Sequence, residues 1–455
     1  MVSISRRKLF QLAAFGVAAR MFPFGTLNAL AGTTGNLGPY QALVCIFLFG
    51  GNDSNNMVVP IDGQARTDYE ASRSIASTLQ LDASALLELG SGNYTMPDLS
   101  HSLSRFGLHP SMTHLHGLSG NLAVVPNVGT LVTPLTKDQY RNKLLPRPRA
   151  LFSHSDQQRQ LQTANPSAQS GTGWGGRLAD CIQGGNASSA FPTSVSLSGS
   201  NIWLTGSASH PVTLSAGSRL TLNGSTGTSG TARHAGLQEL LNFDTGFSLV
   251  QQASNTLTQG IDTGNVINAA VDPTTTLATS FPNSSLGRQL AHVAKLMKVR
   301  DSNIKRQIFF CATGGFDTHS DQEAKHAGLM GGLSEAMAAF YQETVELGVA
   351  NQVTTFTQSD FNRTFQPNPN LGTDHAWGGH HIVLGGGVQS GMYGDFPNLQ
   401  LDGPSTTDSR GRWIPTTGMD QYCATLATWF GLPPSDLNIV FPNIGNFPTA
   451  NLGFV

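Results

Sequence analysis

Apolar residues in this chain come in short, unbroken blocks that stop at glycine or at polar clusters. The blocks are ALVCIFLFGG (42–51), LAVVPNVG (122–129), RQIFFCATGG (306–315), QVTTFTQSD (352–360) and HHIVLGGGV (380–388). Runs of this length predict strands buried on both faces, as in a parallel sheet covered by helices. Segments between them space their apolar residues as helices do. SHSDQQRQLQTA opens with Ser153 as a candidate N-cap, and SLGRQLAHVAKLMKV spans 285–299. GGLSEAMAAFYQETVEL (331–347) joins two strands as a crossover helix does, and DQYCATLATWFGL (420–432) stops at Gly431 and two prolines. The alternation predicts a doubly wound α/β architecture.

One region departs from this pattern. From about 184 to 233 the chain is rich in Ser, Thr and Gly and alternates in polarity, as in TSVSLSGSNIWLTG. It predicts short antiparallel strands or a hairpin excursion, and Ile202, Trp203 and Leu204 argue against a disordered linker. No long-period repeat or heptad is present.

The length of 455 residues allows one large α/β domain or two smaller ones. Only 12% of residues are charged, about half the usual share, so clusters of Asp and His stand out. A net charge of -2 and a pI near 6.7 exclude a nucleic-acid binder that works by neutralising phosphates. The four cysteines, at 45, 181, 311 and 423, form no C-x-x-C pair and exclude a cysteine zinc knuckle.

At the N-terminus, Arg6 and Arg7 precede a moderately apolar stretch, and Ala29–Ala31 fit a small-residue cleavage site. This resembles a twin-arginine export signal over residues 1–31. Arg20 and Pro23 make the stretch a poor permanent membrane span. The expectation is a periplasmic or extracellular protein carried by the twin-arginine translocase.

Polar clusters follow the predicted strands. GGNDSNN holds Asp53; FDTHSDQ holds Asp317 and His319; DFNRTF holds Asp360 and Arg363; GTDHAWGGHH holds Asp374, His375, His380 and His381. Sites in open α/β sheets form at the carboxyl ends of strands, so these clusters are expected to converge. Asp and His are the ligands of zinc, and of harder divalent ions where carboxylates dominate. The inventory suits a one- or two-metal site that polarises a phosphoryl or sulfuryl oxygen. Capped helices and turns are the structural alternative for each cluster taken singly. Arg363 is a candidate clamp for an anionic oxygen or a partner for a carboxylate. Trp377 and His154 are candidate pocket-lining residues.

FGGNDSNNMVVP, LHPSMTHLHGL, FSHSDQQ, GWGGRLAD, GGFDTHSDQ, TFTQSDFNRT, GTDHAWGGHHIVLGGGVQSGMYGDFP and YCATLATWFGL occur in one order along the chain. By these motifs the chain is identified as a member of the bacterial domain-of-unknown-function family numbered 1501, over nearly its whole length. That family distantly resembles the alkaline phosphatase and sulfatase superfamily. The resemblance implies a three-layer α/β/α sandwich with a mostly parallel sheet, as one domain over 32–455 with the 184–233 stretch as a β-rich insertion. It implies metal roles for Asp53, Asp317, His319 and Asp360, and for His380 or His381, with His375 less direct. Phe361 stands where the superfamily has the second His of an Asp-His pair, a place His375 could fill. Ser153, before a helix whose N-terminus favours anions, is the candidate nucleophile, with a plain N-cap as the alternative. No C-x-P-x-R sulfatase signature occurs.

These expectations define an exported metal-dependent hydrolase of a phosphate or sulfate ester. Zinc is the first choice of metal, with manganese, magnesium or calcium as alternatives. The substrate would be a small anionic ester or a sulfated or phosphorylated polymer. The alternative is an envelope or binding protein that keeps the fold without the reaction. A metal-free serine hydrolase lacks support, because no G-x-S-x-G elbow is present.

Overall fold

The computed structural model describes residues 37–89, 105–186, 189–222, 224–225, 227–243 and 246–455. The export signal predicted over 1–31 lies outside them. Nine strands form the main sheet: β1 (Gln41–Leu48), β2 (Leu122–Gly129), β3 (Ser194–Ser196), β4 (Val212–Thr213), β5 (Arg306–Thr313), β6 (Val353–Ser359), β7 (Gly379–Leu384), β8 (Gly391–Met392) and β9 (Thr417–Gly418). Their spatial order is β8-β2-β7-β6-β1-β5-β3-β4, with β9 also paired to β2. The central strand β1 runs parallel to both β5 and β6.

Strand β1 shows why this is a three-layer α/β/α sandwich. Its side chains alternate between faces. Ala42, Val44, Ile46 and Leu48 join a core with Leu290, Val293, Leu333 and Met337. Those partners lie on α6 (Ser285–Lys298) and α7 (Gln322–Glu346). Leu43, Cys45 and Phe47 join a second core with Leu161, Trp174, Tyr422 and Leu426. These come from α2 (His154–Thr163), α3 (Trp174–Ile182) and α8 (Met419–Trp429). Both faces are therefore covered, which accounts for the unbroken apolar runs. All four cysteines are buried and free.

Two features differ from the sequence-based expectation. First, β7 runs antiparallel to both β6 and β2. Its first residues, Gly379 to His381, thereby lie at the carboxyl edge of the parallel strands. Second, among the described residues of the 184–233 stretch the strands form no antiparallel hairpin, and a single antiparallel bridge joins Ser198 and Ser215. The strands β3 and β4 pair in parallel and extend the main sheet past β5. Between them the chain loops outward and buries Trp203 against Trp174 and Phe310, so it returns in the same direction. Near the end of that stretch α4 (Gly227–Leu241) begins. No helix among the described residues is long and apolar enough to cross a membrane.

Candidate metal centre

Two strand ends and one helix start supply the site. Past β5, Gly314 and Gly315 lead to Asp317 and His319 just before α7. Past β6, the chain continues through Phe361 to Thr364 and is paired by Asp374 to Trp377. Thr364 N–H donates to the Asp374 carbonyl at 2.8 Å, and Ala376 N–H to the Asn362 carbonyl at 2.8 Å. This ribbon carries His375 inward. His154 is the first residue of α2.

Ligand atoms of His154, Asp317 and His375 meet there, with His319 beside them. His375 Nε2 lies 3.1 Å from His154 Nε2 and 3.0 Å from His319 Nε2. Asp317 Oδ1 lies 3.0 Å from His319 Nε2 and 3.5 Å from both His154 Nε2 and His375 Nε2. A zinc ion with bonds of about 2.1 Å holds its donor atoms about 3.4 Å apart. His154, Asp317 and His375 each offer one atom within 4.8 Å of the others, while His319 neighbours Asp317 and His375 from outside that group.

The outer hydrogen bonds fix which nitrogen carries the proton. His154 Nδ1–H donates to Asp360 Oδ2 at 2.6 Å. That oxygen already accepts from Gly50 N–H and Gln158 Nε2, so it is an acceptor for the ring as well. His319 Nδ1–H donates to Asp374 Oδ1 at 2.9 Å. His375 Nδ1–H donates to the Phe152 carbonyl at 2.8 Å. Each ring thus has an oxygen partner behind it at Nδ1 and turns Nε2 toward the cluster, as metal-ligating histidines with carboxylate or carbonyl partners do. Phe361 packs between two of the rings, 4.7 Å from the centroids of both His154 and His375.

The charges agree with this arrangement. Partial burial pushes the Asp317 carboxyl up, but Arg363, His319 and His154 outweigh it and hold it below the usual range. Asp374 is held far below the usual range: Arg410, Asn368 and His319 outweigh its burial. Burial pulls His375 down, which favours the neutral ring that a metal needs. Asp360 moves the other way, raised by burial against its three hydrogen-bond donors.

The family model for "Protein of unknown function (DUF1501)" matches residues 40–406. The chain belongs to the DUF1501 family. A protein in the alkaline phosphatase superfamily from Vibrio parahaemolyticus overlaps 94% of this DUF1501 chain and 76% of its own length, at 10% identity and a TM-score of 0.31. No curated protein matches the chain.

The other residues singled out from the DUF1501 sequence lie around the cluster rather than in it. Asp53 is fully buried, and Arg73, the last residue of α1 (Gly63–Arg73), holds both its oxygens at 2.9 Å. Gln322 and Asn55 donate to the same carboxylate. Burial pushes its pKa up, yet Arg73, His326 and Gln322 hold it below the usual range. Its lone pairs are committed, so it is a structural ion-pair partner here and not a converging ligand.

The neighbours of Asp53 are committed too. Asn55 donates to Asp53 and to the Arg363 carbonyl, and accepts from Asn362 and Trp413. Asn56 joins Tyr69 and Leu79, and Ser54 joins Asn362 and His380. The stretch ties the loops after β1 and β6 together. Gly50 and Gly51 have φ of +113° and +81°, and a Cβ on either would sit 2.5 Å from Asp317 N or the Phe361 ring. They let the site-bearing loops close on β1.

Arg363 is no exposed clamp. Its side chain is 0% exposed, and Nη1 donates to Asp317 Oδ1 at 2.9 Å, so it holds that carboxylate in place. Ser153 makes no helix-capping bond; its Oγ donates to Asp156 Oδ2 at 2.6 Å. His381 is buried in β7 and stacks on Tyr422, with burial pulling its pKa down to about 4. His380 stacks on Phe396 and accepts from Asn127 N–H through Nδ1, with burial pulling its pKa down to about 3. Its Nε2 and Asp360 Oδ1 are buried without partners, and both residues line a cavity of about 10 Å³ together with Ser54, Thr130 and Gln157. That is space for about one water.

Sequence reasoning gave His154 only a pocket-lining part and did not single out the Phe152 carbonyl. The signal for His154 was local: a His at the first turn of a helix, in the same FSHSDQQ motif as Ser153. Phe152 left no signal, because its contribution is main chain.

Proposed function

We propose that the chain is an exported metal-dependent hydrolase of a phosphate or sulfate ester. The observation that carries this reading is the convergence of His154, Asp317 and His375, with His319 beside them. A divalent ion held there supplies a Lewis acid for a phosphoryl or sulfuryl oxygen and lowers the pKa of water. Zinc suits an imidazole-rich set with one carboxylate best; manganese, magnesium and calcium, the alternatives, favour more oxygen donors and higher coordination numbers.

The protein's own groups do the rest. Asp360, Asp374 and the Phe152 carbonyl orient the three rings, and Arg363 orients Asp317. Arg410 and Arg412, partly exposed and anchored on Asp374 and Asp408, give the site cationic neighbours suited to an anionic substrate. Asp317 and His319 are nearly half exposed, at 48% and 45%, so a large or polymeric ester can reach them.

Ser153 would serve as nucleophile only after releasing Asp156, so water is the better attacking group. The test is turnover of an aryl phosphate and an aryl sulfate by the metal-loaded protein. Activity lost with chelator and in Asp317→Asn supports the reading, and inertness toward both esters contradicts it.

A second reading rests on the ligand count. Four protein ligands make a closed set, as in structural zinc sites, whereas catalytic sites keep a position open. A metal-binding envelope protein without turnover would bind the ion tightly and hydrolyse neither ester.

A further inference from the structure

Phe152 adopts φ of +71°, in the left-handed region that bulky residues rarely occupy. Ala150, two residues earlier, has φ of +46°, and Ser153 N–H closes the turn on the Ala150 carbonyl at 3.3 Å. This turn has two consequences for the metal centre. It starts α2 so that His154 enters the cluster, and it points the Phe152 carbonyl at His375 Nδ1. One strained turn thus supplies one ligand and orients another.

Something must hold that turn, since strain of this kind persists only where surroundings over-determine it. The Arg412 guanidinium lies 4.9 Å over the Phe152 ring, and Arg412 Nε–H donates to the His375 carbonyl at 2.7 Å. The Phe152 ring also packs on the small core of Leu131, Trp377 and Ile414. Phe152, Arg412 and His375 therefore hold one another through three contacts.

We propose that Phe152 is a positioning residue for the metal centre: its anchored ring keeps a left-handed turn in place, and the turn aims His154 and His375 at the ion. The proposal rests on the metal-centre reading above. It makes a prediction opposite to that of ordinary packing. Phe152→Ala and Phe152→Leu keep the Cβ strain and lose the stacked ring, so the turn should relax away from His375. Phe152→Gly loses the ring too, but glycine adopts this φ freely. For a residue that merely fills space, glycine would be the most damaging of the three, because it adds unfolded-state freedom.

The experiment is cobalt(II) titration of the full chain, followed by the visible bands of the bound ion, with thermal melts of the metal-free proteins alongside. We expect Phe152→Ala and Phe152→Leu to weaken cobalt binding about tenfold or more, and Phe152→Gly about threefold or less. The metal-free Phe152→Gly protein should melt no lower than Phe152→Ala. If Phe152→Ala does not fold, Phe152→Leu carries the comparison. Glycine binding as weakly as alanine and leucine, or more weakly, overturns this inference while leaving the metal centre intact. A wild-type chain that binds no cobalt overturns both.

Discussion

The Nε2 atoms of His319 and His375 stand 3.0 Å apart, while the Nδ1 of each ring faces an oxygen acceptor. Two lone pairs at that distance would repel. A single proton would satisfy one pair of donors, but His154 Nε2 and Asp317 Oδ1 point at the same place. In the proposed reading a divalent cation would answer them together. Removing one ligand should therefore be the most damaging change. His375→Ala should weaken zinc binding by more than the roughly 10–100-fold expected for an outer partner. Competition titration with a chromophoric chelator measures it, and wild-type affinity in that variant would remove His375 from the centre.

Asp374 acts one step further out. It accepts from His319 Nδ1 while Arg410 holds its other oxygen at 2.5 Å. Asp374→Asn keeps an acceptor of similar shape but loses the charge. Zinc affinity should fall roughly tenfold or somewhat more, with circular dichroism unchanged. An unchanged affinity would show that the ring needs no carboxylate behind it.

Asp53 and Arg73 form a fully buried, doubly hydrogen-bonded pair. Arg73→Leu leaves Asp53 buried without its countercharge and should cost about 3–5 kcal/mol of stability. The folded fraction should still bind one ion. Denaturant unfolding and metal titration separate the two effects. A stable variant that takes up an additional ion would mean that Asp53 is a ligand held in check by arginine.

Asp420, in the first turn of α8, is fully buried with both carboxyl oxygens unpartnered, and burial pushes its pKa from 3.8 to about 7. The fold thus favours the protonated acid. Its contribution is fully present below pH 3.8 and is lost as pH rises through about 7. Between pH 5 and pH 8 the wild type should lose more unfolding free energy than Asp420→Asn, by an amount on the order of a few kcal/mol. Parallel stability curves for the two proteins would contradict this.

Most of the layered fold could be read from the sequence, since a strand buried on both faces must be a continuous apolar run, and β1, β5 and β6 are such runs. The reversed direction of β7 could not, because an apolar run carries no direction. Asp317 and His319 were legible as residues of the candidate site through their place after β5. Asp53 was misleading for the same reason: it follows a strand end just as well, and only the three-dimensional arrival of Arg73, from 20 residues on, commits it. His154 comes from a helix start rather than a strand end, so a search along strand ends undervalued it. The Phe152 carbonyl was invisible because any residue has one, and its φ is set by tertiary packing.

The central claim is that His154, Asp317, His319 and His375 hold one divalent ion. The most direct measurement is elemental analysis of the full chain purified without chelators, loaded with zinc and dialysed, followed by X-ray absorption at the zinc edge. The account predicts one tightly held ion per chain with imidazole-dominated scattering, lost in the His319→Ala, His375→Ala double variant. No retained zinc in the wild type, or equal retention in the double variant, would contradict it.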